Sequence, residues 1–434
     1  MSERAIERTP PPVATSALGR VIARARVPLY RNALVLMVNS GVTAALGFVF
    51  WALAARFYEP AQVGLASATI SSALFLGTLA QLGLPYALVR FGPAAGAERS
   101  ALMTTGVLVA TLTAATAGVI FVAGLDIWAP ALAALAGRPL LGAVVIALAA
   151  ATSALTILGY VAVATRDTRP ALAGGATQGV IKILLVVGFA LTLSRLGFDI
   201  VGAWLVATAA AVLAQAWLLR AHLAPRVSLR TLRLGTLLRY SAGNYLGDLA
   251  WTAPALLFPL VVVGLRGAEA NAYFYVAWAI AGLLAAIPAA VASSLLAEGS
   301  HASGEMAAHM RRAFGLTLAL LVPAIALGVI AAPLVLQLFG STYAAKGTDA
   351  LRVLCLATLP LSVNLLHLTA ARIERRVRRV LAIAVATGGG ALLLGAVLAG
   401  QFGVEGIALG YLTVQSLAAA ALTAQWWLSG EARA

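Results

Sequence analysis

Two charged side chains interrupt hydrophobic runs of the sequence. Lys182 follows Gln178 by four positions in one run, and Asp248 lies between Asn244 and Thr252 at the same spacing in another. Residues four positions apart share a helix face, so each set forms a polar stripe. A charge at the centre of a bilayer costs about 2.5–3.5 kcal/mol on insertion scales, and such residues usually face a bundle interior or a wet cavity. The pattern predicts binding of an ion or a polar solute within a membrane.

Other polar side chains lie within or beside the hydrophobic runs. Asn39 precedes Thr43 by four positions, and Asn364 precedes His367 by three, so each pair shares a helix face. Arginines at the ends of runs can extend toward a cavity because their aliphatic stems are long. The predicted substrate-binding residues are Lys182, Gln178, Asn39, Asn244, Asn364, Arg90, Arg31 and Arg239, and the predicted ion-coupling or charge-partner residues are Asp248 and His367.

A structural role is the alternative for each of these residues. Lys182 and Asp248 would then form a pair that only joins two helices, and the amides and His367 would hydrogen-bond between helices. The arginines would set membrane orientation or contact headgroups. Most tryptophans fall near the ends of the runs and are interpreted as interface anchors. These are Trp51, Trp204, Trp217, Trp251, Trp426 and Trp427.

The sequence carries no catalytic signature. It contains no HExxH, no GxGxxG opening a nucleotide-binding fold, no P-loop and no GxSxG, and its four histidines form no ligand cluster. We therefore predict a protein that is not an enzyme and uses no cofactor or metal. No connection between runs exceeds about 25 residues, which argues against an ATP-driven pump and against a polymerase with a large external loop.

Composition assigns the chain to the membrane. Its 434 residues are 62% hydrophobic and 10% charged, with a mean hydropathy of +0.95, whereas soluble domains have about 25% charged residues. The net charge of +15 does not indicate nucleic acid, because the arginines fall in short gaps between apolar runs. The single cysteine excludes a disulfide within the chain, and we expect no cleaved signal peptide.

Twelve runs are long enough to cross a hydrocarbon core of about 30 Å. We predict an all-α integral membrane protein with twelve spans. They lie near residues 32–55, 63–89, 101–125, 140–164, 171–194, 201–219, 241–264, 271–297, 313–338, 350–371, 380–400 and 406–428.

The basic residues predict the orientation of these spans. Of 30 Lys and Arg residues, 23 fall in the termini and connections on one side, 6 fall on the other side, and Lys182 lies within a span. Cytoplasmic connections carry the excess of basic residues, so we expect both termini in the cytoplasm.

The positions of the arginines also indicate an internal repeat. Arg31 precedes span 1 as Arg239 precedes span 7, an offset of 208 residues, and Arg166 follows span 4 as Arg372 follows span 10, an offset of 206. Six spans per half give a parallel repeat, with its pseudo-twofold axis along the membrane normal. We predict two pseudo-symmetric six-helix lobes with a central cavity between them. The predicted segments are a basic cytoplasmic leader (1–31), an N-lobe (32–219), an arginine-rich connector (220–240) that is a short interfacial helix or, alternatively, a solvated charged loop, a C-lobe (241–428) and a cytoplasmic tail (429–434).

This organisation resembles the multidrug/oligosaccharidyl-lipid/polysaccharide (MOP) exporter superfamily, and within it the Wzx-type polysaccharide flippases. The similarity covers nearly the whole chain as a pattern of loose apolar motifs. The motifs are Asn39-Ser-Gly through Gly47-Phe, Ala54-Ala-Arg56, Pro60-Ala-Gln-Val-Gly64-Leu-Ala, Leu82-Gly83-Leu with Ala87-Leu-Val-Arg90, Tyr273, and Phe339-Gly340-Ser-Thr-Tyr343 followed by Ala350-Leu-Arg-Val-Leu. Gln81 stands where that family often has an acidic residue. A role that the family assigns to this acid is therefore not carried over to this sequence.

The resemblance implies a transporter that flips an undecaprenyl-diphosphate-linked oligosaccharide to the outer leaflet by alternating access. The implied location is the bacterial cytoplasmic membrane, and the implied product is a polysaccharide such as O-antigen or exopolysaccharide. Lys182 would attract the diphosphate, Arg90 or Arg31 would capture it, and the amides would bind sugar hydroxyls. Asp248 would neutralise Lys182 in the empty state or carry a coupling proton or sodium ion. The implied partners are membrane lipids and polysaccharide polymerases or glycosyltransferases. Nucleic acid is not an implied partner.

Two other functions remain open at this point. A cation-coupled multidrug or metabolite exporter of the same superfamily would favour an aromatic, acid-lined cavity. A membrane-embedded polymerase or glycosyltransferase would need the external loop that the sequence lacks.

Overall fold

The chain folds as a bundle of long apolar helices. A computed structural model describes residues 28–135, 139–192, 198–228, 234–299 and 306–429, and these contain helices and no strands. Eleven helical stretches are long and apolar enough to cross a membrane, and the last of them, Val377–Leu428, holds both predicted spans 11 and 12. The all-α prediction is therefore confirmed.

The helices α1 to α12 correspond to predicted spans 1 to 12. Within Val377–Leu428, a π-helical turn interrupts the first part at Val385–Gly389, and Gly403 breaks the helix with a φ of 66°; α11 denotes residues 377–402 and α12 residues 404–428. The other helices are α1 (Pro28–Phe57), α2 (Pro60–Leu79), α3 (Arg99–Ala123), α4 (Pro139–Ala164), α5 (Arg169–Thr192), α6 (Asp199–Leu218), α7 (Leu234–Arg266), α8 (Ala268–Gly299), α9 (Met306–Gln337) and α10 (Ser341–Ile373).

Span 2 is discontinuous, so the prediction of one helix over 63–89 is wrong. Helix α2 ends at Leu79, Leu82 and Gly83 have positive φ angles of 52° and 75°, and a short helix begins at Leu84. A Cβ on Gly83 would lie 2.6 Å from the Cβ of Ser241 on α7. Only glycine fits both this backbone conformation and this close approach.

The break frees carbonyl groups that other helices satisfy. The Tyr245 hydroxyl of α7 donates to the Leu79 carbonyl, and the Thr113 hydroxyl of α3 donates to the Ala80 carbonyl at 2.8 Å. Irregular backbone at membrane depth requires such partners, because lipid offers none. The break is thus supported by helices distant in sequence.

Helix packing repeats between the two halves. Helix α1 packs on α5, α2 on α4, and α4 on both α3 and α6; correspondingly, α7 packs on α11, α8 on α10, and α10 on α9 and on the α11–α12 stretch. Each pair of helices in the first half has a counterpart in the second half, in which both helix numbers are higher by six. This is the arrangement expected of a parallel six-plus-six repeat. The two pseudo-symmetric lobes of the predicted fold follow from this packing.

The connector forms only short ordered pieces in the described part. A single 3₁₀ turn covers Arg220–His222, residues 229–233 lie outside the described residues, and α7 already begins at Leu234. Within the predicted connector over 220–240, residues 229–233 fall in this gap, residues 223–228 are not helical and residues 234–240 already belong to α7. Residues 1–27 of the leader and 430–434 of the tail also lie outside the described residues. The predicted segment bounds and the predicted orientation therefore stay predictions.

The two lobes meet closely where α2 crosses α8. A Cβ on Gly64 would lie 1.7 Å from the carbonyl oxygen of Ala268, so the two backbones touch. The fully buried Asn271 donates through Nδ2 to the Gly64 carbonyl at 2.7 Å and to the Ser67 hydroxyl at 3.0 Å. Arg56 of α1 adds hydrogen bonds of 2.8 and 3.0 Å to the carbonyls that end α9. All these contacts lie at the helix ends that the arginine distribution predicts to face outward.

We expect Gly64→Ala to destabilise this closed seam. Its methyl group would overlap the Ala268 carbonyl, and overpacking of this kind costs roughly 1–3 kcal/mol. The measurement is the thermal unfolding midpoint of the purified protein, with Gly315→Ala as the matched control, because a Cβ on Gly315 meets no atom within 4 Å. Equal midpoints for the two variants would contradict the close crossing.

Candidate functional site

Lys182 of α5 is buried among aromatic rings in the first lobe. The residue is 2% exposed, and its Nζ lies 4.2 Å from the Trp204 ring centroid and 5.3 Å from that of Phe50. Cation–π contacts contribute about 2 kcal/mol or more when desolvated. Among the described residues, Lys182 forms no ion pair with a carboxylate. Among the described residues, the first lobe therefore holds a positive charge that aromatic rings contact and that no carboxylate pairs with.

Glycines on α5 bring α1 over this lysine. A Cβ on Gly179 would lie 2.3 Å from Leu46 Cδ1, and one on Gly175 would lie 2.5 Å from Asn39 Oδ1. Close helix approach through small residues is typical of membrane bundles. The approach places Phe50 against Lys182 and sets Asn39 on the same α1–α5 seam.

The amides predicted in this lobe lie near the lysine without touching it. Gln178 donates through Nε2 to the Thr208 hydroxyl of α6 at 2.8 Å. Asn39 Oδ1 and Thr43 Oγ1 are buried and accept no hydrogen bond among the described residues. Asn39 thus lies on the α1–α5 seam and Gln178 against α6, and the buried acceptors of Asn39 and Thr43 on α1 remain unused among the described residues.

Trp51 separates the lysine from a cavity between the lobes. Its ring is 5.9 Å from that of Trp204 and 4.7 Å from that of Tyr275 on α8. The cavity has a volume of about 280 Å³ and lies between α1 and α8, with Phe339 at one end. Phe48 contacts Phe339 edge-to-face at 5.2 Å. Trp51, which packs on the Trp204 ring beside Lys182, therefore also forms part of the wall of an interlobe cavity.

The prediction that these tryptophans are interface anchors is partly wrong. Trp51 is 4% exposed, Trp204 covers Lys182, and Trp251 lines a cavity in the second lobe. Trp217 and Trp427, by contrast, are 63% and 57% exposed, as anchors should be. Position near a span end did not separate the two groups, because the helices extend beyond the apolar runs.

Asp248 pairs with an arginine and not with Lys182. Arg372 of α10 donates through Nη2 to Asp248 Oδ1 of α7, and the two side chains are 30% and 35% exposed. The suggestion that Asp248 neutralises Lys182 is therefore wrong in this structure. Arg372 follows predicted span 10, on the side predicted to be cytoplasmic, but its long stem reaches back to Asp248.

The second lobe contains a polar cluster deeper between its helices. Asn364 of α10 is fully buried and donates to the Gln415 side chain at 2.7 Å and to its carbonyl at 2.9 Å. His367 lies one turn on, 3% exposed, with its ring 5.8 Å from Phe314 and 6.2 Å from Trp426. Asn364 therefore orients Gln415, a residue that sequence reasoning did not single out.

A cavity of about 200 Å³ opens beside Gln415. It is lined by aromatic, hydroxyl and small side chains of α7, α8, α10 and α12, including Trp251, Trp278 and Tyr411. No spacing signal in the sequence joins these residues, because they come from four different helices. This cavity lies in the second lobe, and Lys182 with its covering rings lies in the first.

The remaining predicted residues are dispersed. Arg90 is exposed at the end of the short helix after α2, and Asn244 is half-buried on α7. The side chains of Arg31 and Arg239 lie outside the described residues. The roles predicted for all these residues in binding and coupling stay predictions.

Comparison with solved structures identifies the fold. An inward-facing multidrug resistance MATE family transporter of the MOP superfamily aligns with a TM-score of 0.67 at 17% identity, covering 95% of this chain and 98% of that one. The lipid II flippase MurJ, in an inward closed conformation, aligns at 0.69 and 11%, covering 89% and 86%. A MOP superfamily transporter from Pyrococcus furiosus, described as having a binding pocket of reverse polarity, aligns at 0.61 and 16%, covering 95% and 96%.

No protein-family model and no curated protein matches the sequence. At identities of 11% to 17%, the structural likeness establishes the fold of a many-span membrane protein. The predicted resemblance to the MOP superfamily is thus confirmed at the level of the fold.

We expect Lys182→Met to raise the thermal unfolding midpoint. The substitution keeps an unbranched chain against the rings and removes a buried charge that has no acidic partner among the described residues, and burial of an unpaired charge is costly. The matched control is Lys346→Met, because this second lysine of the chain is exposed and paired with Glu269 at 3.0 Å. A lower midpoint for Lys182→Met alone would show that the lysine serves stability.

Proposed function

We propose that this chain is a membrane transporter that flips a diphosphate-linked polyprenyl oligosaccharide from the cytoplasmic to the outer leaflet. The observation that supports the proposal is Lys182, a buried cation without an acidic partner behind the wall of the interlobe cavity. Charge at membrane depth is retained where a transported group requires it. An anionic head group is the cargo that such a site would attract.

The physical demands of this cargo fit the two lobes. A diphosphate and its sugars need a polar route, whereas the polyprenyl tail can remain in lipid. Lys182 would act on the diphosphate as a compact point charge, after capture by the exposed Arg90 at the cytoplasmic mouth. Asn39 and Gln178 lie on the same side and would bind hydroxyl groups, and Asn244 and Asn364 are the corresponding candidates in the second lobe.

Lobe movement would connect the lysine with the cavity. Trp51 is in contact with Tyr275 of the opposite lobe and with the rings around Lys182. Separation of α1 from α8 would therefore release Trp51 from one side and open a path to the lysine. Rocking of two halves about a central site is the general mode of transporters built from repeats.

The second candidate is a cation-coupled multidrug or metabolite exporter. It is favoured by the structural likeness to MATE family transporters and by the aromatic cavities. Against it stands the charge pattern: the acid that sequence reasoning singled out in this bundle, Asp248, is bound to Arg372. A neighbour is described as having a binding pocket of reverse polarity that suggests a different function, which supports the idea that pocket polarity can vary on this fold. A membrane-embedded polymerase or glycosyltransferase remains the least supported alternative.

The proposal places the chain in the bacterial cytoplasmic membrane with both termini inside. Undecaprenyl diphosphate is the carrier expected there, and an O-antigen or exopolysaccharide precursor is the expected cargo. Polysaccharide polymerases and glycosyltransferases would act beside it.

Flipping in proteoliposomes tests the function. A fluorescent diphosphate-linked polyprenyl oligosaccharide is reconstituted, and a hydrophilic quencher outside reports the outer leaflet. We expect transport by the wild type, a loss of about tenfold or more in Lys182→Met, equal to about 1.4 kcal/mol, and partial retention in Lys182→Arg, which keeps the charge. Lys346→Met is the control for removal of a distant charge.

Each result decides between the candidates. Equal transport by the wild type and Lys182→Met would remove the lysine from the mechanism. Absence of lipid transport together with gradient-driven efflux of cationic dyes would replace the flippase with the exporter. Folding of every variant is checked by gel filtration.

Coupling to an ion is tested at Asp248. A carboxylate held by Arg372 can release its partner and take up a proton or sodium ion when the lobes move, so we expect Asp248→Asn to abolish any stimulation of flipping by an imposed proton or sodium gradient. Basal flipping without a gradient is measured in parallel. Retained stimulation would exclude Asp248 and leave His367 as the candidate.

A further inference from the structure

We infer that the cavity inside the second lobe is a subsite for one uncharged sugar ring. The inference rests on the proposed function and extends it, because it gives the two lobes different tasks. The first lobe would attract the diphosphate through Lys182, and the second would hold a sugar of the head group. Neither the fold nor the structural neighbours assign a ligand to this cavity.

The walls of the cavity offer aromatic faces at right angles. The rings of Trp278 and Tyr411 lie 4.9 Å apart at 74°, and Trp251 completes the aromatic lining. Phe258 and Phe274 contact Trp278 from behind at 5.2 and 5.8 Å, so Trp278 is held in place before any ligand binds. Flat rings present apolar surface to the C–H face of a pyranose, and preorganised walls reduce the ordering cost of binding.

Polar groups at the cavity complement sugar hydroxyls. Gln415 uses its Oε1 to accept from Asn364, and its side chain forms no other hydrogen bond among the described residues, which leaves its Nε2 as a donor. The hydroxyls of Thr252 and Thr358 donate to backbone carbonyls at 2.7 and 2.6 Å and keep lone pairs that can accept. The cavity thus offers both donor and acceptor groups on an apolar base.

Charge and size argue against a drug-sized cation. None of the described residues that line the cavity is charged, and Asp248, one turn from Thr252, is occupied by Arg372. The volume of about 200 Å³ is below the roughly 300–1,000 Å³ of pockets for drug-sized ligands. A single neutral ring with several hydroxyl groups fits both limits.

The cavity borders the interlobe route at Gly282. This residue of α8 lines both the second-lobe cavity and the interlobe cavity, and a Cβ placed on it meets no atom within 4 Å. Only a glycine therefore separates the two spaces at this point. A sugar linked to a diphosphate in the interlobe cavity could enter the second lobe here.

Filling Gly282 is the direct test of the subsite. Saturation-transfer NMR is measured on the full chain in sugar-free lipid nanodiscs with methyl glycosides of glucose, galactose, rhamnose and N-acetylglucosamine, since maltoside detergents carry the candidate ligand. We expect at least one glycoside to bind the wild type and the control Gly315→Leu. We expect binding to be lost in Gly282→Leu and to weaken about fivefold in Gln415→Met, the effect of one net hydrogen bond.

Three outcomes would overturn the subsite. One is the absence of binding by any glycoside, and another is glycoside binding that neither Gly282→Leu nor Gln415→Met reduces. The third is binding of tetraphenylphosphonium, lost in Gly282→Leu, in place of glycosides, which would make the cavity a site for organic cations. Gln415→Met preserves the side-chain volume, so it remains informative if the larger change at Gly282 impairs folding.

A flipping assay with two lipids separates this inference from the function on which it rests. We expect Gly282→Leu to slow the diphosphate-linked oligosaccharide and to leave polyprenyl diphosphate without sugar unchanged, whereas Lys182→Met slows both. Equal rates for the oligosaccharide lipid in Gly282→Leu and the wild type would overturn the subsite and leave the flippase standing. Failure of the wild type to move either lipid would overturn the flippase and the sugar subsite with it.

Discussion

The cost of placing charge and free backbone groups in hydrocarbon determines how the polar residues of this chain are arranged. Three inward polar groups are satisfied in three different ways. Rings cover Lys182, an arginine reaches Asp248, and a glutamine receives Asn364. The break after α2 follows the same constraint, since Tyr245 and Thr113 supply donors to its carbonyls. Of these devices, only the rings leave a net charge inside the bundle.

The two lobes share a helical plan but differ in what they enclose. The first lobe encloses a cation and the amides Asn39 and Gln178, whereas the second encloses an uncharged aromatic cavity with a fixed glutamine. Duplication supplies two equivalent frames, and later substitution gives each a separate chemistry. A head group that joins a diphosphate to sugars presents the same two chemistries in one molecule.

Hydropathy alone predicted the number, order and approximate bounds of the helices, as for 140–164 against the observed Pro139–Ala164. It could not locate the break in span 2, because an average over a whole span does not resolve the four residues Ala-Gln-Leu-Gly (80–83), and the donor Tyr245 is 166 positions from Leu79.

The same limit applies to the site. Polarity at membrane depth identified Lys182 and Asp248, but Asp248 and Arg372 are 124 positions apart. Side-chain reach across helices decides such pairs. The cavity residues Trp251, Trp278 and Tyr411 are apolar enough to be interpreted as core residues or interface anchors. Only the folded structure shows that they meet around one cavity.

The seam between the lobes has one further property. Most of the described hydrogen bonds between the lobes run from side chains to the main chain: Arg56 to the carbonyls of Gln337 and Leu338, Asn271 to that of Gly64, and Tyr245 to that of Leu79, while Asn271 also donates to the Ser67 hydroxyl. A carbonyl acceptor is present whatever side chain its residue carries. Helices α2 and α9, which accept these hydrogen bonds, can therefore change most of their sequence without losing them. Evolutionary change in these two helices is then limited by their shape. Such one-sided dependence gives a physical route by which a fold persists among proteins whose sequences have diverged almost completely.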